Sequence, residues 1–489
     1  MARPRRRRPQ PGFVSAWRPR ERPLLTLADQ GAPLSIEPGL FGIGGRDRSW
    51  NAHADNFITA NRPHFVALDL RPELVPRTND IGLRLRPGGV VGAVPVRTPD
   101  TRRIAGGIVV RPRFGWEGIG PLLHTIGWSA SPQVLDMPLV PGSAREVPPW
   151  VLAGPVLQRL AELLRELRRG FRMHEEVRET PRGQILWQRY VREQMVRGAF
   201  HQLPCRFPEL GPDMLLRGYL RWGLESVHRS LTPFVAIDGI ARRLAEQAEG
   251  LLQSLSDAAA RPPDRNTLDR LARTLGLPSA ALVQGLQALG WIVEERGLAG
   301  AAETDGLAWA LPMHQLFERW VEHLVRGWAR GFGGEVIVGR ADETVVPIHW
   351  YSGTPGSMKS LVPDLVVRHQ EDVYVIDAKY KGHFQELDDA RWGDLADELR
   401  EAHRHDVHQV LAYASLFEGA RTTAVLVYPM HSLTWARLAS HGRTFALADL
   451  TGGGRRVRLA LAGVPVELPV GESPSSLSRA WNALLANQW

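Results

Sequence analysis

Two runs in the last third of the chain carry residue types suited to metal-assisted hydrolysis. Leu361-Val362-Pro363-Asp364-Leu365-Val366-Val367-Arg368 and Val373-Tyr374-Val375-Ile376-Asp377-Ala378-Lys379-Tyr380 are both rich in β-forming residues, and they flank the polar His369-Gln370-Glu371-Asp372. That is the pattern of a β-hairpin. With those four residues as the loop, Arg368 lies opposite Val373, and counting back sets Asp364 opposite Asp377. Directly opposed residues on one face have Cβ atoms about 4.5 to 5.5 Å apart, near enough for two carboxylates to hold one hard cation. Lys379, two residues beyond Asp377, joins the same face about 7 Å further on.

Two carboxylates so placed repel each other unless something positive stands between them. Mg²⁺ suits the arrangement, with Mn²⁺ as a substitute, because it takes oxygen ligands, keeps several waters and bridges to phosphate oxygens. The Ala378 carbonyl is a plausible extra ligand. Lys379 would steer or deprotonate an attacking water and offset charge on a pentacovalent phosphate. The bland alternative is a hairpin whose acidic ends face water. Against it stands the scarcity of lysine: of 60 Lys+Arg residues only Lys359, Lys379 and Lys381 are lysines, and two of them fall here. In an arginine-rich chain a retained lysine marks a place that suits a compact ammonium.

Neighbouring elements must hold these groups in place. A helix around Arg404 to Phe417 carries Gln409 and Tyr413 four residues apart, hence on one face. Gly419 stops it, and Thr422 to Tyr428 reads as a strand, so strand, helix and strand form a right-handed crossover. Upstream, Met313, Leu316, Phe317, Trp320, Val321, Leu324 and Trp328 make one apolar stripe on a helix from Pro312 to Arg330, with Glu318 at the border of the stripe. His403, His405 and His408 lack the spacing of a metal site and read as a solvated or DNA-facing helix end.

The rest of the chain reads as a multi-domain α/β protein of 489 residues. A basic flexible tail (1–20) precedes a small, mainly β, partner-binding domain (35–145), a helical domain (150–300), an α/β core (307–440) and a β-rich extension (441–489). Residues 267–291 have the pattern of a helix-turn-helix, which serves either DNA contact or plain helix packing. A formal net charge of +8 leans towards polyanionic partners. The single cysteine, Cys205, excludes an internal disulfide and fits a reducing, cytoplasmic setting as a packing residue. No apolar run is long enough to suggest a membrane span.

Pro363-Asp364 with Asp377-Ala378-Lys379 resembles the PD-(D/E)xK nuclease superfamily, and Gln409 with Tyr413 resembles the Gln-x-x-x-Tyr element of its RecB-like members. Further stretches are similar to the McrC family: Met313-His314-Gln315-Leu316-Phe317-Glu318-Arg319-Trp320-Val321, the extended Asp377-Ala378-Lys379-Tyr380-Lys381, Arg182-Gly183-Gln184-Ile185 taken as helical, and Ile108-Val109-Val110-Arg111-Pro112-Arg113-Phe114, with arginine where the family's Pro-Lys element has lysine. The resemblance implies a restriction-endonuclease-like core, a Mg²⁺-dependent DNA endonuclease within a McrBC-type, modification-dependent restriction system, and Glu318 as an additional metal or water ligand. It also implies a hexameric AAA+ GTPase or ATPase partner resembling McrB, and double-stranded DNA, modified or not. The chain has no phosphate-binding loop of its own: Gly353 to Ser360 puts Met358 where the glycine before lysine belongs. A RecB-like exonuclease working with a helicase, and a non-enzymatic adaptor that activates an AAA+ motor, are the competing expectations.

Overall fold

The computed structural model describes residues 22–41, 50–51, 53–77, 80–143, 146–167, 170–211, 213–274, 279–293, 305–351, 358–382, 397–417, 419–452, 455–469 and 471–486. The basic tail, the 275–278 turn between the paired helices and most of the Gly353 to Ser360 loop fall outside them. The molecule is a mixed α/β protein with sheets and helices at both ends and a helical middle.

The first sheet has the strand order Leu24–Ala28, Ile104–Arg111, Val90–Arg97, Trp309–Pro312, Gln133–Val134. Val91, Ala93 and Val109 turn to one core while Val94, Val96, Ile108 and Val110 turn to another, as alternation along a strand requires. A second, antiparallel sheet (Leu34–Ile36, Asp80–Pro87, Leu70–Arg77) and the Ala54–Ala67 helix accompany it. Two expected boundaries therefore move. The β region begins at Leu24, because that strand pairs in parallel with Ile104–Arg111. Trp309–Pro312, expected within the C-terminal core, pairs antiparallel with Val90–Arg97; its buried Trp309 and Leu311 find apolar partners there.

In the middle region the helices Trp150–Glu166, Met214–Leu231, Gly239–Gln253 and Ala280–Val293 pack through leucines as their periodicity predicts. The region is not helical throughout. Residues 170–211 form a three-stranded sheet in the order Gly170–Arg178, Leu203–Gly211, Gln184–Ile185, so the Arg182 to Ile185 stretch is turn and strand. Gly183 explains this: its φ is +69°, outside the helical range, and a Cβ there would lie 2.6 Å from the Arg206 carbonyl oxygen. Helix Ala280–Val293, the second of the helix-turn-helix pair, buries Leu286, Leu289 and Ile292 in the core. The segment that links Gln184–Ile185 to Leu203–Gly211 leaves Trp187, Val191 and Phe200 exposed.

The last third is built on a six-stranded sheet in the order Glu335–Val338, Leu365–His369, Asp372–Ala378, Arg421–Met430, Arg455–Pro465, Phe445–Gly452. The two final strands were expected as a separate extension after 440. They complete this sheet instead, since Arg455–Pro465 is as apolar as its parallel neighbour Arg421–Met430 and buries Ala460 and Ala462 beside it. The Met313–Arg330 helix lies on one face, where Trp328 meets Tyr374 edge-on at 5.0 Å between ring centres. The Asp397–Ser415 helix lies on the other and connects Asp372–Ala378 to its parallel partner Arg421–Met430.

Candidate functional site

The hairpin register is the expected one. Arg368 pairs with Val373 and Leu365 with Ile376, so the next step outward brings Asp364 to Asp377. The turn is tighter than expected, because His369 and Asp372 themselves pair and Gln370 and Glu371 alone turn the chain, with Gln370 at φ +54°.

Asp364 leaves its strand just before the sheet begins, and backbone contacts hold it there. Its carbonyl accepts from Gly339 N at 2.8 Å, the Pro363 carbonyl accepts from the buried Thr344 hydroxyl at 2.6 Å, and its own Oδ2 accepts from Ala378 N at 2.8 Å. Asp377 is fixed by its strand and is only 3 % exposed. The Asp377 carboxylate is near enough to Asp364 to push its carboxyl up. Lys379 continues the same face. Its Nζ stands 2.7 Å from Asp377 Oδ2 and donates to Gln409 Oε1 at 3.1 Å, while Gln409 Nε2 donates to Tyr413 Oη at 2.8 Å. The predicted residues of strand and helix thus form one chain of contacts.

Electrostatics place Glu318 with them. Burial first, then the nearby Asp377 carboxylate, pushes the Glu318 carboxyl up to about 7. Burial, then Asp377 and Glu318, pushes Asp364 up to about 8. Burial also raises Asp377, against the pull of Lys379. Lys379 itself is drawn down by burial, yet Asp377, Asp364 and Asp406 outweigh this and hold it above its ordinary value, so it stands as an ammonium. Three acids crowd one amine, so the acids that the amine does not offset retain protons that a cation could displace.

Asp377 Oδ2 touches Lys379 without the geometry of a hydrogen bond, so a buried acceptor keeps a lone pair uncommitted. An oxygen-seeking divalent ion fits such a donor set. Among the described residues no three His, Cys, Asp or Glu side chains are gathered as a ready ligand set. An ion here would therefore rest on Asp364 and Asp377 with backbone oxygen and water, the incomplete protein coordination that Mg²⁺ accepts.

One layer of the site was missed from the sequence. Asp406, 2 % exposed, takes Lys381 Nζ at 2.7 Å and the Tyr428 hydroxyl at 3.4 Å, and His403 Nδ1 meets that hydroxyl at 3.1 Å. His403 is therefore buried and bonded, unlike the exposed His405 and His408. The signal was present: with Gln409 inward, residues three and six earlier share its side of the helix.

A hairpin that opposes a half-buried and a buried acid beside an amine, backed by a parallel crossover, sets this chain among the mixed α/β proteins. A family model described as "McrBC 5-methylcytosine restriction system component" matches residues 149–429, more than half of the chain, and the protein belongs to that family. Two solved structures from Thermococcus gammatolerans are similar to it. One is a half-complex of McrB AAA+ hexamers with bound McrC, where the match covers 94% of this chain and 100% of that one at 14% identity and a TM-score of 0.42. The other is the cryo-EM structure of the McrBC complex, covering 62% and 88% at 16% identity and a TM-score of 0.26. No curated protein matches the chain. Among the described residues no helix is long and apolar enough to cross a membrane.

Proposed function

We propose that this chain is the DNA-cutting, McrC-type subunit of a modification-dependent restriction complex, with a PD-(D/E)xK core that hydrolyses phosphodiesters with Mg²⁺. The observation that carries this reading is the convergence of Asp364, Asp377 and Lys379 at one end of a buried hairpin, with more negative charge than the single amine offsets. Stability alone gives no reason to bury two acids together. Membership of the McrBC family supports a place in a restriction system.

Asp364 and Asp377, with the Ala378 carbonyl, would hold the ion. When bound, it supplies positive charge for the phosphate oxygens and lowers the pKa of a coordinated water. Lys379, kept protonated by Asp377 and oriented by Gln409, offsets the charge that grows on the non-bridging oxygens as the water oxygen bonds to phosphorus and the bond to the leaving sugar oxygen breaks. Glu318, close enough to Asp377 to feel its charge, is the group placed to take the water's proton, and the leaving oxygen is protonated from solvent. Tyr413 holds Gln409, and Gln409 holds the amine. Nucleotide hydrolysis falls to an AAA+ partner, since the chain contains no phosphate-binding loop.

The test is cleavage of circular, modified double-stranded DNA by the chain with its AAA+ partner, nucleotide and Mg²⁺. Asp377→Ala and Lys379→Ala should abolish cutting, a loss of at least about 100-fold, while complex assembly and nucleotide hydrolysis persist. Undiminished cutting by either variant would defeat the assignment.

A further inference from the structure

We infer that the N-terminal domain supplies positioning residues to this centre, with Asp29 and Arg113 anchoring Tyr380 and so fixing the strand end that carries Lys379. The functional consequence rests on the nuclease reading; the anchor itself does not.

Tyr380 follows Lys379 directly, at the point where the strand leaves the sheet, and is 5 % exposed. It is buried against residues that are remote in sequence. The Arg113 guanidinium lies over its ring at 4.6 Å and over the Phe114 ring at 4.8 Å. Phe114 and Phe317 approach the same ring with centres 6.1 and 6.0 Å away. The Tyr380 carbonyl accepts from Gln30 Nε2 at 2.6 Å. Asp29, 0 % exposed, accepts from the Arg113 backbone N–H at 2.5 Å, with its other oxygen 4.0 Å from Arg113 Nε. Asp29 and Arg113 stand at the ends of the adjacent parallel strands Leu24–Ala28 and Ile104–Arg111, so one edge of the first sheet presents the whole socket.

A fully buried carboxylate beside an arginine is costly, and apolar residues of equal volume would commonly hold two domains together as well or better. What a charged, directional socket adds is register. A guanidinium over the ring and an amide on the carbonyl fix both the rotation and the advance of residue 380. One residue upstream, the Lys379 backbone N–H donates to the Val427 carbonyl at 2.8 Å and Ala378 N to Asp364 at 2.8 Å. The segment between the two acids and Tyr380 is therefore pinned at both ends, and a shift at the socket is transmitted to the amine. The Pro112-Arg113-Phe114 element, which had no role in the site itself, thereby acquires one.

The experiment compares the parental full chain, Arg113→Ala and Arg113→Lys, each with the AAA+ partner. Backbone hydrogen exchange is read at residues 378–381, and cutting of circular DNA is read across a Mg²⁺ series. Arg113→Ala should raise exchange at the Ala378 and Lys379 amides by about tenfold or more. It should lower the maximal cutting rate by about 100-fold, as expected for a small misplacement of a reacting group, without raising the DNA concentration for half-maximal rate. The thermal midpoint and the partner's nucleotide hydrolysis should hold. Arg113→Lys, which keeps a cation over the ring, should restore most of both readouts, as a merely space-filling arginine would not. Parental exchange at 378–381 in Arg113→Ala, or damage in Arg113→Lys equal to that of alanine, overturns the proposal. Raised exchange in Arg113→Ala alongside a parental chain that cuts no DNA supports the anchor and rejects the nuclease reading instead.

Discussion

Asp377 is buried and Asp364 and Glu318 are half-buried beside it, and the consequence for acid–base behaviour has a definite sign. Glu318 rises from 4.5 to about 7 and Asp364 from 3.8 to about 8, so between about pH 4 and pH 8 these two groups bind more protons in the folded chain than in the unfolded one. Their contribution to the stability of the metal-free chain should be greatest at the acid end of that window and fall as pH rises through it. Divalent binding replaces those protons, so Mg²⁺ or Mn²⁺ should raise the melting temperature more at pH 8 than at pH 5. Thermal denaturation at the two pH values, with and without Mg²⁺, checks this; equal metal effects at both would remove the acid pair as the ion's holder. These residues were legible because a two-residue period and a polar turn set their register before any long-range contact matters. The pairing of Asp406 with Lys381 was not, since nothing local says that this helix carboxylate will meet a lysine 25 positions away.

The elements around the site explain why it holds its shape. Gly339 sits in a tight turn whose amide holds the Asp364 carbonyl, and a Cβ there would stand 2.3 Å from the Pro363 carbonyl oxygen. Gly339→Ala should therefore push the Asp364 segment outward, costing about 1 to 3 kcal/mol in denaturant unfolding. Cutting should fall further than that loss of stability explains, because the displaced backbone carries a site carboxylate. The Met313–Arg330 helix and the Asp397–Ser415 helix were readable from their 3.6-residue stripe and from the Gln409–Tyr413 spacing. The 170–211 sheet was not: Met173, Val177 and Phe207 alternate with Arg and Glu too sparsely to signal strands, and Pro204 and Pro208 lie within one of them.

At the scale of the whole molecule, the boundaries drawn from texture failed where pairing is non-local. The four residues Trp309–Pro312 are too short to announce a strand, and their partners Val90–Ala93 lie more than 200 positions earlier. Texture also placed residues after 440 outside the core, because a run such as Arg455–Pro465 shows its value only beside Arg421–Met430. In sequence the helical middle falls between Gln133–Val134 and Trp309–Pro312, both strands of the first sheet, so the chain leaves the first domain, builds the second and then returns to finish the first.

That returning strand has a practical consequence. It occupies an interior place between Val90–Arg97 and Gln133–Val134 and runs without a break into the helix bearing Glu318. A gene divided just ahead of Trp309 should give an amino-terminal fragment with an open, sticky sheet and a carboxy-terminal one that starts with an orphan tetrapeptide. Aggregation on gel filtration of each piece alone, and recovery of a soluble pair on co-expression, would show that evolution cannot trade these halves as independent cassettes.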